Sequence, residues 1–264
     1  MEISKLSKLI TPSGTMAISN KARILREQGK PVIGFGAGEP DFPTPEYVVK
    51  DVQVAAEDTS NHKYSPVAGL TILKEEIVRT SQLYSGINVQ QENILVSNGG
   101  KHAILTTFMS ILNPGDEVLI PSPYWTTYPE AVKISGGNPI IVDTEFDDDF
   151  KVNTDQLDAL KTSKTKILVW VSPSNPTGVV YTKEEAEQIY NWAFENNVWI
   201  LSDELYEHLV YEGMTSPSPA QYDTELNNTI IINGVAKAYS MTGWRVGWII
   251  ANTDVIDMAK KIQS

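Results

Sequence analysis

The stretch "KILVWVSPSNPTGVVYTKEEAEQIYNWAFENNVWILSDE", residues 166–204, holds two short apolar runs with an amphipathic segment between them. Residues 166–171 and 198–202 are rich in Val, Ile, Leu and Trp without strict polar alternation, the pattern of strands covered on both faces. Residues 182–196 read as the helix that joins them. The same alternation extends in both directions. Further strands are predicted at 93–97, 117–121, 139–143, 229–232 and 246–251. Helices are predicted at 45–57, 69–85, 100–112, 124–135, 153–161 and from 254 onward. Strands interleaved with helices predict a three-layer α/β domain around a mostly parallel sheet. Residues 1–29 read instead as an arm: a polar lead, the breaker "TPSG", and a helix from about Met16 to Gln28 closed by Gly29. A Gly/Pro-rich loop, "GFGAGEPDFPTPE" at 34–46, follows it.

The totals narrow the possible chemistry. The 264 residues suffice for one large domain or two modest ones. Thirty-three acids against 21 basic residues give a formal net charge of −12, which argues against a nucleic-acid backbone or an anionic membrane surface as partner. With no cysteine in the chain, disulfides, thiolate catalysis and cysteine-held metals are excluded. No apolar run approaches a membrane span and "MEISKLSKLITPSG" has no long apolar leader core, so a soluble cytoplasmic protein is the expectation.

In sheets of this kind ligands collect at the carboxyl ends of the strands, and several polar residues fall there. "NGGKHAI", 98–104, runs from a strand through Gly99 and Gly100 into a helix. Such a turn offers free N–H groups to a phosphate, although an ordinary tight turn reads the same way. Asn175 in "SPSNPTG" could orient a ring substituent or a carboxylate, or simply make an Asn-Pro turn. Asp203 closes an apolar strand with Tyr206 three positions on. A buried acid there needs a cation or hydrogen-bond donors; it could equally cap a following helix. Trp125 is either core or a stacking plate. In "NGVAKAYSMTGWRVGW", 233–248, Lys237 and Arg245 lie between apolar runs and read as buried cations. A buried ammonium loses its proton, finds a partner or reacts. An amine, an acid, ring-oxygen donors, an aromatic plate and a phosphate-ready turn together are what pyridoxal 5′-phosphate asks of a protein.

These segments, with "AGEPDFPTP", "KYSPVAG", "PGDEVLIPSPYW" and "SDELYEHLVYEG", occur in the order found in the fold-type I, class I aminotransferases. The chain resembles that family, and within it the bacterial aspartate aminotransferase branch. The resemblance implies a pyridoxal-phosphate enzyme that exchanges an amino group between an amino acid, aspartate or glutamate foremost, and a 2-oxo acid. It implies that Lys237 carries the cofactor covalently and then moves the α-proton. Asp203 would face the ring nitrogen, Tyr206 and Asn175 the ring oxygen, and Trp125 the ring plane. Gly99, Gly100, Lys101 and Arg245 would hold the phosphate, with Tyr64 reaching the phosphate of a neighbouring subunit in a homodimer. Gly38, Trp125 and Asn175 would meet the substrate, with the Lys101 side chain and Thr15 toward its distal carboxylate. No metal is implied.

By the same resemblance residues 1–30 form an arm that is part of a small domain, and 31–264 form the large cofactor-binding domain. The family continues past "MAKKIQS" into a C-terminal part of the small domain, absent here, that carries an arginine for the substrate α-carboxylate; no arginine follows Arg245. A cut chain and a naturally short one are both consistent with that ending. On either reading cofactor binding is expected to survive, efficient transamination is not, and apolar surface is left exposed. Aromatic-amino-acid or prephenate transamination and β-elimination on the same scaffold are the nearby alternatives. Outside that class stand an inert cofactor-binding fragment and a regulator. The regulator would need a basic DNA-binding extension that this acidic chain lacks.

Overall fold

A computed structural model describes residues 2–264. Its centre is one seven-stranded sheet: β1 (Ile94–Ser97), β2 (Glu117–Pro121), β3 (Asn138–Val142), β4 (Thr165–Val171), β5 (Trp199–Asp203), β6 (Thr229–Gly234) and β7 (Gly247–Ile250). The order across the sheet is β1-β7-β6-β5-β4-β2-β3. The pairings β2–β3, β2–β4, β4–β5 and β5–β6 are parallel. β7 runs antiparallel to both its neighbours, β1 and β6. Six strands therefore point one way, and their carboxyl ends share one edge. β7 reverses because residues 235–246 join it to β6 without a helix, and a parallel return needs a longer crossover.

Among the described residues eight α-helices accompany the sheet: α1 (Gly14–Glu27), α2 (Glu46–Glu57), α3 (Thr71–Thr80), α4 (Gly100–Ile111), α5 (Thr127–Ile134), α6 (Thr154–Leu160), α7 (Lys183–Glu195) and α8 (Thr253–Gln263). Within β4 the alternation that the sequence hides becomes visible. Ile167 and Val169 pack with α4, α5 and α8, while Leu168 and Trp170 pack with α6 and α7. Both faces are apolar, so the strand reads as a continuous hydrophobic run. β6 divides the same way, Ile230 and Ile232 to one side and Ile231 to the other. The result is the three-layer arrangement expected from the sequence.

The element boundaries follow local chemistry. α7 begins at a capping box in which Thr182 and Glu185 satisfy each other's backbone N–H groups. The segment predicted as one helix over 69–85 divides into α3 and a wider π turn, Ser81–Ser85, closed by Gly86 at φ 69°. The helix predicted from 124 starts three residues later, because "SPYW" forms the irregular turn out of β2. Neither α1 nor α2 buries a residue. One hydrogen bond ties the arm to α5, the Thr11 N–H donating to Glu130 Oε2 at 2.8 Å. Among the described residues no helix is long and apolar enough to cross a membrane.

Candidate active site

Five strands deliver the polar residues singled out in the sequence to one edge of the sheet. β1 leads into Gly99 and Gly100, β2 into Trp125 and β4 into Asn175. β5 ends on Asp203, and β6 leads into Lys237 and Arg245. At the end of β5, Asp203 is paired in register with Val171 on one side and Ile232 on the other. It keeps only 4% exposure, and burial pushes its carboxyl above the usual aspartate value. Three groups pull the other way: the Tyr128 hydroxyl, donating to Oδ2 at 2.6 Å, the Leu205 N–H, donating to Oδ1 at 3.3 Å, and the Lys237 charge. No helix follows Asp203, so the helix-cap reading is replaced by a cap on a turn.

Lys237 is half-buried rather than enclosed, and Arg245 is exposed. The expectation of two buried cations is thereby corrected. The apolar runs flanking them are β6 and β7, but residues 235–246 loop out at the sheet edge and carry both side chains to the rim. Lys237 Nζ donates to the carbonyl of Gly38 and lies 5.4 Å from the centre of the Tyr206 ring. Loss of hydration lowers the ammonium's pKa; Glu39 opposes that shift, Arg245 adds to it and Asp203 opposes it. Burial, and then the Asp203 charge, raise the Tyr206 phenol.

Arg245 adopts φ 61°, in the left-handed region, and its guanidinium lies against Gly99. It donates to the Thr242 carbonyl at 2.9 Å and to the Asn98 carbonyl at 3.4 Å. A side chain at Gly99, itself at φ 80°, would collide with that guanidinium. The turn therefore presents bare backbone and a cation at the start of α4, an arrangement suited to an anion. Lys101 is exposed, and its Nζ sits 5.2 Å from the centre of the Trp125 ring. Trp125 is partly buried and meets Tyr128 edge-on at 5.7 Å. Asn175 and Tyr206 both line an open cleft of about 360 Å³ beside this edge.

Three predicted residues lie apart from this group or only at its margin. Thr15, in α1, is exposed and shares a 2.8 Å hydrogen bond with Ser13. Tyr64 is fully exposed and faces away from its own chain. Gly38 is exposed, in contact with the site through its carbonyl on Lys237. Among the described residues no group of three or more His, Asp and Glu could hold a metal ion.

The sequence reading passed over two features. Tyr128 is the direct partner of Asp203; its position one helical turn beyond Trp125, on the inner face of α5, was the available signal. Behind the sheet, Ser202 and Glu204 point to the face opposite Asp203, as strand alternation requires. Glu204 Oε1 accepts from the Ser202 and Ser218 hydroxyls, each at 2.6 Å, and Glu207 accepts from Asn233 Nδ2 at 2.7 Å and Ser85 Oγ at 2.9 Å. Burial, with Glu207 and Asp203 adding to it, raises Glu204 from 4.5 to about 8. The protonated form is favoured in the folded state, so its contribution to stability is full below about 4.5 and is lost as pH rises through about 8. Denaturant unfolding across that window is expected to show stability falling, and the decline is expected to flatten in Glu204→Gln. An equal slope in both chains would assign the decline to other groups.

The sequence model of the family described as "Aminotransferase class I and II" matches residues 30–264. The chain is 49% identical to an aspartate aminotransferase of Streptomyces avermitilis, over 97% of this chain and 63% of that protein. It is 41% identical to an aspartate/prephenate aminotransferase of Cereibacter sphaeroides, over 97% of this chain and 64% of that one. The chain thus spans less than two thirds of the length of these curated relatives. Among solved structures, the aspartate aminotransferase of Thermus thermophilus with maleate superposes with a TM-score of 0.95 at 39% identity, covering all of this chain and 68% of that one.

Proposed function

The chain belongs to the class I and II aminotransferases, and we propose that it holds pyridoxal 5′-phosphate at the edge just described and exchanges amino groups between aspartate or glutamate and a 2-oxo acid. The observation that carries this reading is the convergence on one edge of Lys237, Asp203 and the Gly99–Gly100–Arg245 turn. The donor set fits the group. Asp203 is a buried carboxyl, held by the Tyr128 hydroxyl, that suits a protonated ring nitrogen; Lys237 is an amine whose pKa burial lowers, and Gly99 is bare backbone where a side chain would intrude. When bound, pyridoxal phosphate supplies an aldehyde for an amine and a protonated ring that draws in the electron pair left by a departing α-proton.

The remaining chemistry is the chain's own. Lys237, its ammonium destabilised by lost hydration, serves as the amine and then carries the proton from the substrate's α-carbon. Asp203 sets a carboxyl at the inner end of the site, where a protonated ring nitrogen would favour its anion. Arg245 and the start of α4 anchor the outer, anionic end. Tyr206 and Asn175 reach the space between them from the cleft that they line, and Trp125 closes the plane. Lys101 and Thr15 are assigned to the distal carboxylate of the substrate, and Gly38 to its α-carboxylate. Tyr64, fully exposed on its own chain, is assigned to the phosphate of a second copy in a homodimer.

Oxaloacetate formed from aspartate in the presence of 2-oxoglutarate and pyridoxal phosphate is the product expected, with formation dependent on Lys237. Sustained release of a 2-oxo acid together with ammonia, beyond one equivalent per cofactor and with no acceptor present, would point to β-elimination instead. The aspartate/prephenate relative favours one second reading, prephenate as amino acceptor. Faster turnover with prephenate than with 2-oxoglutarate would select it.

A further inference from the structure

Tyr128 is the least exposed polar side chain in contact with the site, at 1% exposure. It is held in α5 by the core that α4, α5 and α8 make with the sheet, and its hydroxyl reaches one atom of functional weight, Asp203 Oδ2, at 2.6 Å. The hydroxyl cannot turn to water at that depth. The other oxygen, Oδ1, accepts the longer bond from the Leu205 N–H. A carboxylate with a short, charge-assisted bond on one oxygen and a weaker one on the other is fixed in orientation and leaves its less satisfied oxygen for a further donor.

We propose that Tyr128 is a positioning residue for Asp203: it keeps the carboxylate ionised and turned so that Oδ1 meets the cofactor's ring nitrogen. This rests on the reading that Asp203 faces that nitrogen. The titratable and charged groups facing Asp203 are Tyr128 from α5, Tyr206 from the turn after β5 and Lys237 from the loop after β6, while Glu204 lies behind it on the opposite face of the sheet. Tyr128 and Lys237 favour the anion, Tyr128 through its donated hydrogen bond. Without the hydroxyl, burial raises Asp203 further. The edge-on contact with Trp125 extends the same scaffold to the ring plane.

The test compares the parent chain, Tyr128→Phe, Asp203→Asn and the double variant, each labelled with ¹³C at the aspartate carboxyls. The Asp203 carboxyl resonance is identified by its absence in Asp203→Asn. In Tyr128→Phe its titration midpoint is expected to move to higher pH. Pyridoxal-phosphate affinity is expected to fall about tenfold, as the loss of one hydrogen bond to a charge implies. The double variant is expected to bind no more weakly than Asp203→Asn alone, because Tyr128 acts through Asp203. An unmoved midpoint, or additive losses in the double variant, would overturn the proposal. Should Tyr128→Phe not fold, the parent chain still decides: a hydroxyl proton protected from exchange should be seen and should vanish in Asp203→Asn, and its absence from the parent refutes the bond. The underlying reading fails separately, if Asp203→Asn binds pyridoxal phosphate with the parent's affinity and spectrum.

Discussion

Replacing Lys237 by alanine is expected to abolish covalent attachment of pyridoxal phosphate and to lower amino-group exchange by about a thousandfold or more, the scale of a lost proton-transfer group. The proposed function puts two tasks on one nitrogen, the bond to the cofactor and the movement of the α-proton, and among the described residues no second amine is placed to take either over. Lys101 sits over the Trp125 ring and outside the core. The fold should survive the change. Lys237 is half-buried on a loop, and its side chain bonds to the exposed Gly38, whose carbonyl water can satisfy. Borohydride reduction followed by peptide mass analysis would place the cofactor on the Lys237 peptide of the parent chain and on none in the variant. Retention of a covalent adduct by Lys237→Ala would mean that another lysine is the true attachment site.

A second large effect is expected at a residue with no chemistry. Gly247 begins β7, paired with Ser97 on β1 and Gly234 on β6. A β-carbon there would lie 2.8 Å from both Gly100 N and Gly99 C. Those atoms are backbone at the start of α4 and cannot swing aside as a side chain could. Gly247→Val therefore forces the turn and the strand apart, at a cost of about 1–3 kcal/mol of stability. The displaced atoms are those assigned to the phosphate, so cofactor affinity should fall about a hundredfold as well. Parallel denaturant unfolding and cofactor titration would measure both. A variant with reduced stability but parental affinity would detach the phosphate from this turn.

Much of this architecture could be read from the sequence because the strands are short apolar runs bounded by turn residues, and all seven lie within a few residues of their predicted positions. Covering on both faces made strands such as β4 conspicuous as runs while concealing which residue faces which layer. Strand direction was less legible. Nothing in "VGWII" says that β7 runs backwards; the reversal follows from the helix-free link at 235–246, which also carries Lys237 and Arg245 to the rim. That geometry is why apolar neighbours in sequence misrepresented both cations as buried. Partnerships across 75 residues, such as Tyr128 with Asp203, leave no local trace. The opposite fates of Asp203 and Glu204, adjacent in sequence yet on opposite faces of the sheet, needed the strand's alternation to be resolved. The residues that motif order assembled nonetheless converge on one edge, apart from Thr15 and Tyr64, which lie outside it.

The measurement that bears most directly on the proposed function is the visible absorption of the purified chain with pyridoxal phosphate, before and after addition of aspartate, with Lys237→Ala alongside. A long-wavelength band in the parent, missing from the variant and replaced on adding aspartate by the shorter-wavelength band of the aminated cofactor, is the predicted result. A parent chain with no Lys237-dependent band, or with a band that aspartate leaves unchanged, would contradict it.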